Sequence, residues 1–246
     1  VRVKNMVLRY FRRTVWIISF TIASLIFAQN DKDYEELREA MVKTQIESRG
    51  VKNEDILSVM RDVPRHLFID ESLWPKAYSD GPLPIGHGQT ISQPYIVAFM
   101  TELLRPDTHH MILEIGTGSG YQAAVLAKLV HHVYTIEIVP ELGRNAKAAL
   151  KRLGYDNISV RVGDGYKGWP EEEPFDRIIV TAAPEKVPEA LLDQLKPGGR
   201  MVLPVGPRWW GQDLLVIEKN ERGKVVRKNT IPVRFVPMIR QKERKN

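Results

Sequence analysis

The sequence predicts an α/β fold built on a doubly wound, mainly parallel sheet, and three observations carry that expectation. Met111-Ile-Leu-Glu-Ile115 is a short apolar run, partly β-branched, that stops at a glycine. Brevity and the glycine boundary favour a buried strand over a helix. Gly116-Thr-Gly-Ser-Gly120 then turns almost without side chains, and Tyr121 to Lys128 is rich in helix formers. Strand, glycine turn and helix in succession make a corner where backbone approaches a ligand closely and a helix N-terminus offers free N–H groups. Beyond that corner strand-like and helix-like segments keep alternating, the pattern of a parallel sheet covered on both faces.

Tyr34 to Ser48 reads as an amphipathic helix with Leu37, Met41 and Ile46 on one face, stopped by Gly50. Asn53 or Asp55 starts a second helix through Ile56 to Met60, which ends before Pro64. These two are expected to form an N-terminal helical extension. Pro64 to Tyr78 is irregular, and the prolines and glycines of Pro82 to Tyr95 exclude a long regular element. A helix follows from about Gln93 to Leu104, with Ser92 as its expected N-cap and Pro94 in its first turn. After the glycine corner come a strand at Val133 to Ile136, a helix at Val139 to Leu153 closed by Gly154, and strands at Ile158 to Val162 and Phe175 to Val180. A short helix spans Val187 to Leu195, and a strand spans Arg200 to Val205. Asp213 to Lys219 and Lys224 to Val236 read as a final antiparallel pair joined at Glu221-Arg-Gly223.

A chain of 246 residues suffices for one α/β domain with a real core. The chain has no cysteine, which excludes disulfides, thiolate metal sites and thiol nucleophiles. The net charge of +6 is unevenly placed: Arg2, Lys4, Arg9, Arg12 and Arg13 lie in the first 30 residues with no acid, leaving 31 basic against 30 acidic residues. The basic balance is therefore no sign of a nucleic-acid surface. Val15 to Ala28 is uncharged and mostly apolar, between those basic residues and Asp31-Lys-Asp33. This is the layout of a secretory signal, and it falls short of the roughly 20 apolar residues of a spanning helix. Residues 1–30 are expected to be a signal peptide or N-terminal anchor, and 31–246 a single domain. Met6 offers an alternative start.

The glycines are spaced G-x-G-x-G, unlike the G-x-G-x-x-G of dinucleotide sites. Glu114 sits just inside the strand end. Glu137 ends the next strand about 20 residues past the glycines, where a ribose-binding carboxylate belongs. An ordinary tight turn would explain the glycines alone; glycines and Glu137 together favour a nucleoside site. Asp164, in Gly163-Asp-Gly165, would lie beside Glu137 on the same sheet edge, although a plain turn explains that triplet taken by itself. Thr90 and Ser92 precede a helix N-terminus, a good seat for a carboxylate. His109-His110 and His131-His132 are adjacent pairs whose side chains point apart, so they read as surface or packing residues and no metal site is expected.

Leu113-Glu-Ile-Gly-Thr-Gly-Ser-Gly-Tyr121 with Glu137 and Gly163-Asp-Gly165 resembles a class I S-adenosylmethionine-dependent methyltransferase, a Rossmann-like fold. Gly86-His-Gly-Gln-Thr-Ile-Ser-Gln-Pro-Tyr95 is more specific and resembles the substrate loop of the protein-L-isoaspartate (D-aspartate) O-methyltransferase family. Met41-Val-Lys-Thr-Gln-Ile-Glu-Ser-Arg-Gly50, Val63-Pro-Arg-His-Leu-Phe68, Phe175 to Pro184 and Val233-Arg-Phe-Val-Pro-Met238 fit the same family. The resemblance covers roughly Tyr34 to Ile239; only the first thirty residues depart from the family pattern, which is usually cytoplasmic.

The resemblance implies methyl transfer from S-adenosyl-L-methionine, leaving S-adenosyl-L-homocysteine, to the free carboxylate of L-isoaspartyl and D-aspartyl residues in damaged proteins. It implies Ser92 as the catalytic residue and His87, Gln89, Thr90, Ile91 and Ser92 as substrate-binding. Glu114, Gly116, Thr117, Gly118, Ser119, Gly120, Glu137, Ile138, Asp164, Gly165 and Thr181 would hold the cofactor, with Glu137 on the ribose hydroxyls and Asp164 facing the adenine amine. A carboxylate with a pKa near 4 is already ionised at neutral pH, so no general base is required. Isoaspartyl proteins and peptides are the expected partners, with no nucleic acid, no metal, a monomeric state, and membrane contact only through an uncleaved N-terminal segment. The expected location is periplasmic, or tethered by that segment, with the cytoplasm as alternative. Another methyltransferase of this class, acting on a small molecule or RNA, would share the cofactor loops and lack Thr90-Ile-Ser-Gln-Pro94. An NAD-linked oxidoreductase is disfavoured by the glycine spacing and the lack of a catalytic His or Tyr-Lys set; a non-catalytic adaptor would keep the fold without transferring methyl groups.

Overall fold

The computed structural model describes residues 32–207 and 211–240. The expected targeting segment therefore lies outside the described residues. Helix α1 spans 32–41 and runs into a π turn, Val42–Ile46, and a 3-10 turn, Glu47–Arg49, before Gly50 ends the run in the left-handed conformation at φ 94°. Met41 and Ile46 face inward as predicted, joined by Val42, but Leu37 is 44% exposed. The inward face at that level is taken by Tyr34, stacked on His66 at 4.0 Å, and by Arg38, which donates to the Arg61 carbonyl at 2.7 Å. Helix α2, Glu54–Asp62, is capped by Asn53, whose side chain accepts the Ile56 N–H. Two 3-10 turns, Arg65–Phe68 and Glu71–Lys76, complete this helical layer.

Residues 83–91, where only a long regular element is excluded by the sequence, form a small antiparallel hairpin: β1, Leu83–Gly86, and β2, Gln89–Ile91. Its two turn residues, His87 and Gly88, have φ of 52° and 69°, the positive values of a primed turn. Helix α3, Pro94–Leu104, follows directly. The sheet then begins with β3, Met111–Ile115, α4, Tyr121–Ala127, β4, His132–Glu137, α5, Pro140–Arg152, and β5, Ile158–Val162. The chain returns through β6, Phe175–Val180, α6, Glu189–Asp193, β7, Leu195–Val205, β8, Gln212–Lys219, and β9, Val225–Val233.

The seven strands lie in the order β5-β4-β3-β6-β7-β8-β9. The first five are parallel; β8 is antiparallel to β7, and β9 antiparallel to β8. From β3 the chain steps outward to β5 and then returns to place β6 on β3's other side. The strand order thus reverses between β3 and β6, and ligands of such sheets bind outside the strand ends at that reversal. Both faces are buried. Met60, Leu104, Tyr121 and Ile179 belong to one apolar cluster, and Trp169, Phe175, Ile178 and Leu191 to the other, as expected for parallel strands covered on both sides.

Candidate active site

The loops after β3, β4, β5 and β6 meet at the reversal point. Gly116 leaves β3 at φ 99°, and a Cβ there would run into Thr181 Oγ1. Thr181, just after β6, donates its hydroxyl to the Gly116 carbonyl at 2.7 Å, and its N–H bonds the Ile115 carbonyl at 2.9 Å. Glu137, at the end of β4 and 5% exposed, accepts the Gly118 N–H at 2.8 Å on one oxygen and the Val139 N–H at 2.9 Å on the other. Each oxygen keeps a second lone pair. The carboxylate is therefore locked in place while still able to accept from a ligand.

A narrow cavity of about 60 Å³ opens between these loops, lined by Gly116, Gly118, Glu137, Ile138, Gly165 and Thr181, with Ile115, Ile136 and Met238 as apolar walls. An acceptor among apolar plates suits a nucleoside: the acid meets the vicinal hydroxyls and the plates a flat ring. Gly165 keeps the space open, because a Cβ there would collide with Ile115 Cγ2 and stand 3.2 Å from Met238 Cε. A groove of about 470 Å³ adjoins it, lined by Pro82, Thr90, Ser92, Gln93 and Ile96 on one side and by Pro232 to Val236 on the other. A third, small space joins the glycine loop to Thr90-Ile-Ser92. Thr90 and Thr181 line all three. The largest cavity, about 780 Å³, lies beside Tyr166, Glu185 and Arg240 and contains none of the predicted site residues, so size does not mark the site here.

Most predicted residues converge, and several do so in unexpected roles. Thr117, Ser119 and Ile91 line the small joining space, while Gln89 reaches the narrow cavity. Gly120 is the N-cap of α4. Ser92 is not the N-cap of α3: Pro94 takes the first helical position, so Gln93 does, and Gln93 makes no capping bond. His87 is exposed at the hairpin tip and lines none of these cavities, because the primed turn carries it outward. Asp164 caps the turn Gly165–Lys167 through the Tyr166 N–H at 2.9 Å and leaves the lining to Gly165.

Glu114 also stands away from the cavity. It is fully buried beneath the glycine loop and accepts the Thr135 hydroxyl, which is itself 2.7 Å from Thr117 Oγ1. Strand alternation explains this: Ile115 faces the cavity, so its neighbour Glu114 faces the other way. Burial pushes the Glu114 carboxyl up to about 8, so it is neutral at pH 7. The residues missed from the sequence are Gln93 and the segment Arg234 to Ile239. The latter crosses the cavity after β9, tied by Ala183 N–H to Val236 O and Met238 N–H to Ala183 O, both 2.8 Å. Among the described residues, no group of three His, Cys, Asp or Glu is placed to hold a metal ion.

Sheet order and cavity together define the class, a Rossmann-like doubly wound α/β protein with its site at the sheet reversal. The family model for protein-L-isoaspartate(D-aspartate) O-methyltransferase matches residues 35–243, and the chain belongs to that family. A Polaromonas relative, protein-L-isoaspartate O-methyltransferase 2, is 52% identical over 209 residues, covering 85% of this chain and 99% of its own. One from Opitutus terrae is 55% identical over 205 residues, covering 83% and 88%. A solved protein-L-isoaspartate O-methyltransferase superposes with a TM-score of 0.74 at 30% identity, over 82% of this chain and 65% of that one. A Plasmodium falciparum structure of the same description, in complex with S-adenosyl-L-homocysteine, gives 0.70 at 26% identity over 83% and 99%. The cofactor is S-adenosylmethionine.

Proposed function

We propose that this chain repairs damaged proteins by moving a methyl group from S-adenosylmethionine to the free carboxylate of L-isoaspartyl residues, at the junction formed by Thr90 and Thr181. That junction is the observation that carries the reading, because two substrates must share one boundary and these two residues line both the narrow cavity and the groove. When bound, S-adenosylmethionine supplies a methyl group already activated on a sulfonium. Glu137 would hold the ribose hydroxyls, the backbone from Gly116 to Gly120 would hold the methionine part, and Ile115, Ile136 and Met238 would pack on the nucleoside.

On the groove side, Ser92 donates its hydroxyl to the carboxylate, helped by Thr90. The start of α3 adds donors. Its first bonded N–H is that of Val97, to the Gln93 carbonyl at 3.1 Å, and Pro94 has none. The N–H groups of Tyr95 and Ile96 are left to an anion. The carboxylate arrives ionised, so the residues orient and exclude water without moving a proton. Alignment of this kind supplies effective molarities on the order of 10⁵ M or more.

The experiment is methylation of an isoaspartyl peptide beside the same peptide with normal aspartate. The isoaspartyl form is expected to gain a base-labile methyl ester and the control almost none, since its carboxylate sits one methylene differently along the chain. Equal methylation of both would sink the assignment.

A further inference from the structure

Gln93 stands one residue after Ser92, lines the groove and occupies the N-cap position of α3 without capping it. Its side chain is engaged elsewhere: Nε2 donates to Asp80 Oδ1 at 2.6 Å. Asp80 is itself gripped by Arg49, Nη1 to Oδ1 at 3.1 Å and Nη2 to Oδ2. Arg49 in turn lies 5.2 Å from the centroid of the Tyr95 ring, in the first turn of α3. Hydrogen bonding to Arg49 is the main cause holding the Asp80 carboxyl below the usual carboxylate range, so it stays ionised at neutral pH. An ionised carboxylate only accepts, so it decides which end of the Gln93 amide faces it. The nitrogen turns to Asp80, and the amide oxygen has no hydrogen-bond partner among the described residues.

An acceptor next to the carboxylate seat repels the carboxylate and needs a donor. A polypeptide in the groove carries one regular donor per residue, the backbone N–H. We propose that Gln93 is a specificity-determining residue whose side-chain oxygen accepts a backbone N–H of the substrate beside the damaged residue, with Asp80 and Arg49 as positioning residues that fix the amide for that purpose. This rests on the reading that the groove holds an isoaspartyl peptide. It explains why the N-cap side chain is drawn off the helix start, where it would compete with the carboxylate for donors. It also separates peptide substrates from free β-linked acids, which lack the flanking N–H.

The test is steady-state kinetics on an isoaspartyl hexapeptide and on ester-backbone analogues in which one flanking N–H at a time is replaced by oxygen. In the wild type one analogue is expected to show a KM raised roughly 2- to 10-fold, the worth of a hydrogen bond. Gln93→Ala should raise KM for the all-amide peptide by a similar factor, leave kcat and cofactor affinity unchanged, and abolish the penalty of that analogue. Asp80→Ala should raise KM part of the way and add nothing in the double variant, since its effect acts through Gln93. The Arg49–Asp80 pair is exposed, with side chains 39% and 35% accessible, so its loss is expected to leave folding nearly untouched. A wild-type KM in Gln93→Ala, an analogue penalty that persists in it, or a fall in kcat together with cofactor affinity would overturn the proposal. Absence of any methylation of isoaspartyl peptide by the wild type would overturn both this and the reading beneath it.

Discussion

Ser92 lines the groove beside Thr90 and does not cap α3. The N-cap position of α3 falls to Gln93, which makes no capping bond, and the Ser92 hydroxyl makes no hydrogen bond among the described residues. Ser92→Ala should therefore change stability by less than about 0.5 kcal/mol. Loss of a bond to a charged carboxylate costs roughly 1.5–3 kcal/mol in the transition state, so kcat/KM is expected to fall about 10- to 150-fold. A variant with wild-type turnover on isoaspartyl peptide contradicts the assignment. Glu114 calls for a different measurement. Burial, opposed by the Thr135 hydrogen bond and reinforced by Glu137, raises its carboxyl to about 8, against about 4.3 in an unfolded chain. Between those values the native state keeps a proton that the unfolded state has released. Stability from this group is thus full below about pH 4.3 and is lost as pH rises toward about 8. Glu114→Gln removes the titration. Its Tm should fall less than that of the wild type between pH 5 and pH 8, and an identical slope would show that Glu114 does not titrate in that window.

At the scale of elements, what could be read ahead was what local pattern encodes. The β3 run, the three glycines and α4 form one contiguous signal, and Glu137 follows at a fixed distance, so the cofactor corner was legible. The β1–β2 hairpin was not, because strands of four and three residues are too short to show a period. For the strap after β9 the sequence predicts more strand, since apolar and β-branched residues continue to Val236. Its departure is decided by partners distant in sequence: Ala183 binds Val236 and Met238, and Tyr166 bonds the Met238 carbonyl at 3.3 Å. The strap closes the narrow cavity through Pro237, Met238 and Ile239, while Phe235 anchors it to Gln212 at 2.6 Å. A chain ending at Val236 keeps the anchor and the groove wall but loses the roof. Its cofactor Kd is expected to rise at least about tenfold, the loss of one buried apolar contact of about 1.5 kcal/mol or more. Its circular dichroism should be unchanged. Unaltered cofactor affinity would mean that the strap is only a chain end lying over the sheet.

At the scale of the whole molecule, the helical layer and the sheet are joined by a residue that no pattern would place inside. Arg65 is fully buried, donates Nε to the Ala77 carbonyl at 2.8 Å and lies 5.0 Å from the centroid of the Tyr121 ring on α4. Periodicity sorts apolar from polar positions and cannot foresee a charge packed on an aromatic face. Charge, by contrast, is legible from the chain alone. Five of the basic residues stand in the first 13, and without the first 30 residues the chain is nearly neutral. We propose on composition that residues up to about Ala28 direct export and are removed. Val15 to Ala28 has no polar face with which to pack as a surface helix, and soluble monomers avoid a contiguous apolar patch of that kind. Its 14 residues fit the apolar core of a secretory signal better than a membrane span of about 20. Export would separate the enzyme from a cofactor made in the cytoplasm, so activity outside would depend on supply. The measurement is to express the full chain in its own host, fractionate the cells and sequence the N-terminus of the product. A periplasmic protein beginning near Gln29 is expected, and a soluble cytoplasmic protein that still begins before Val15 would end the export proposal.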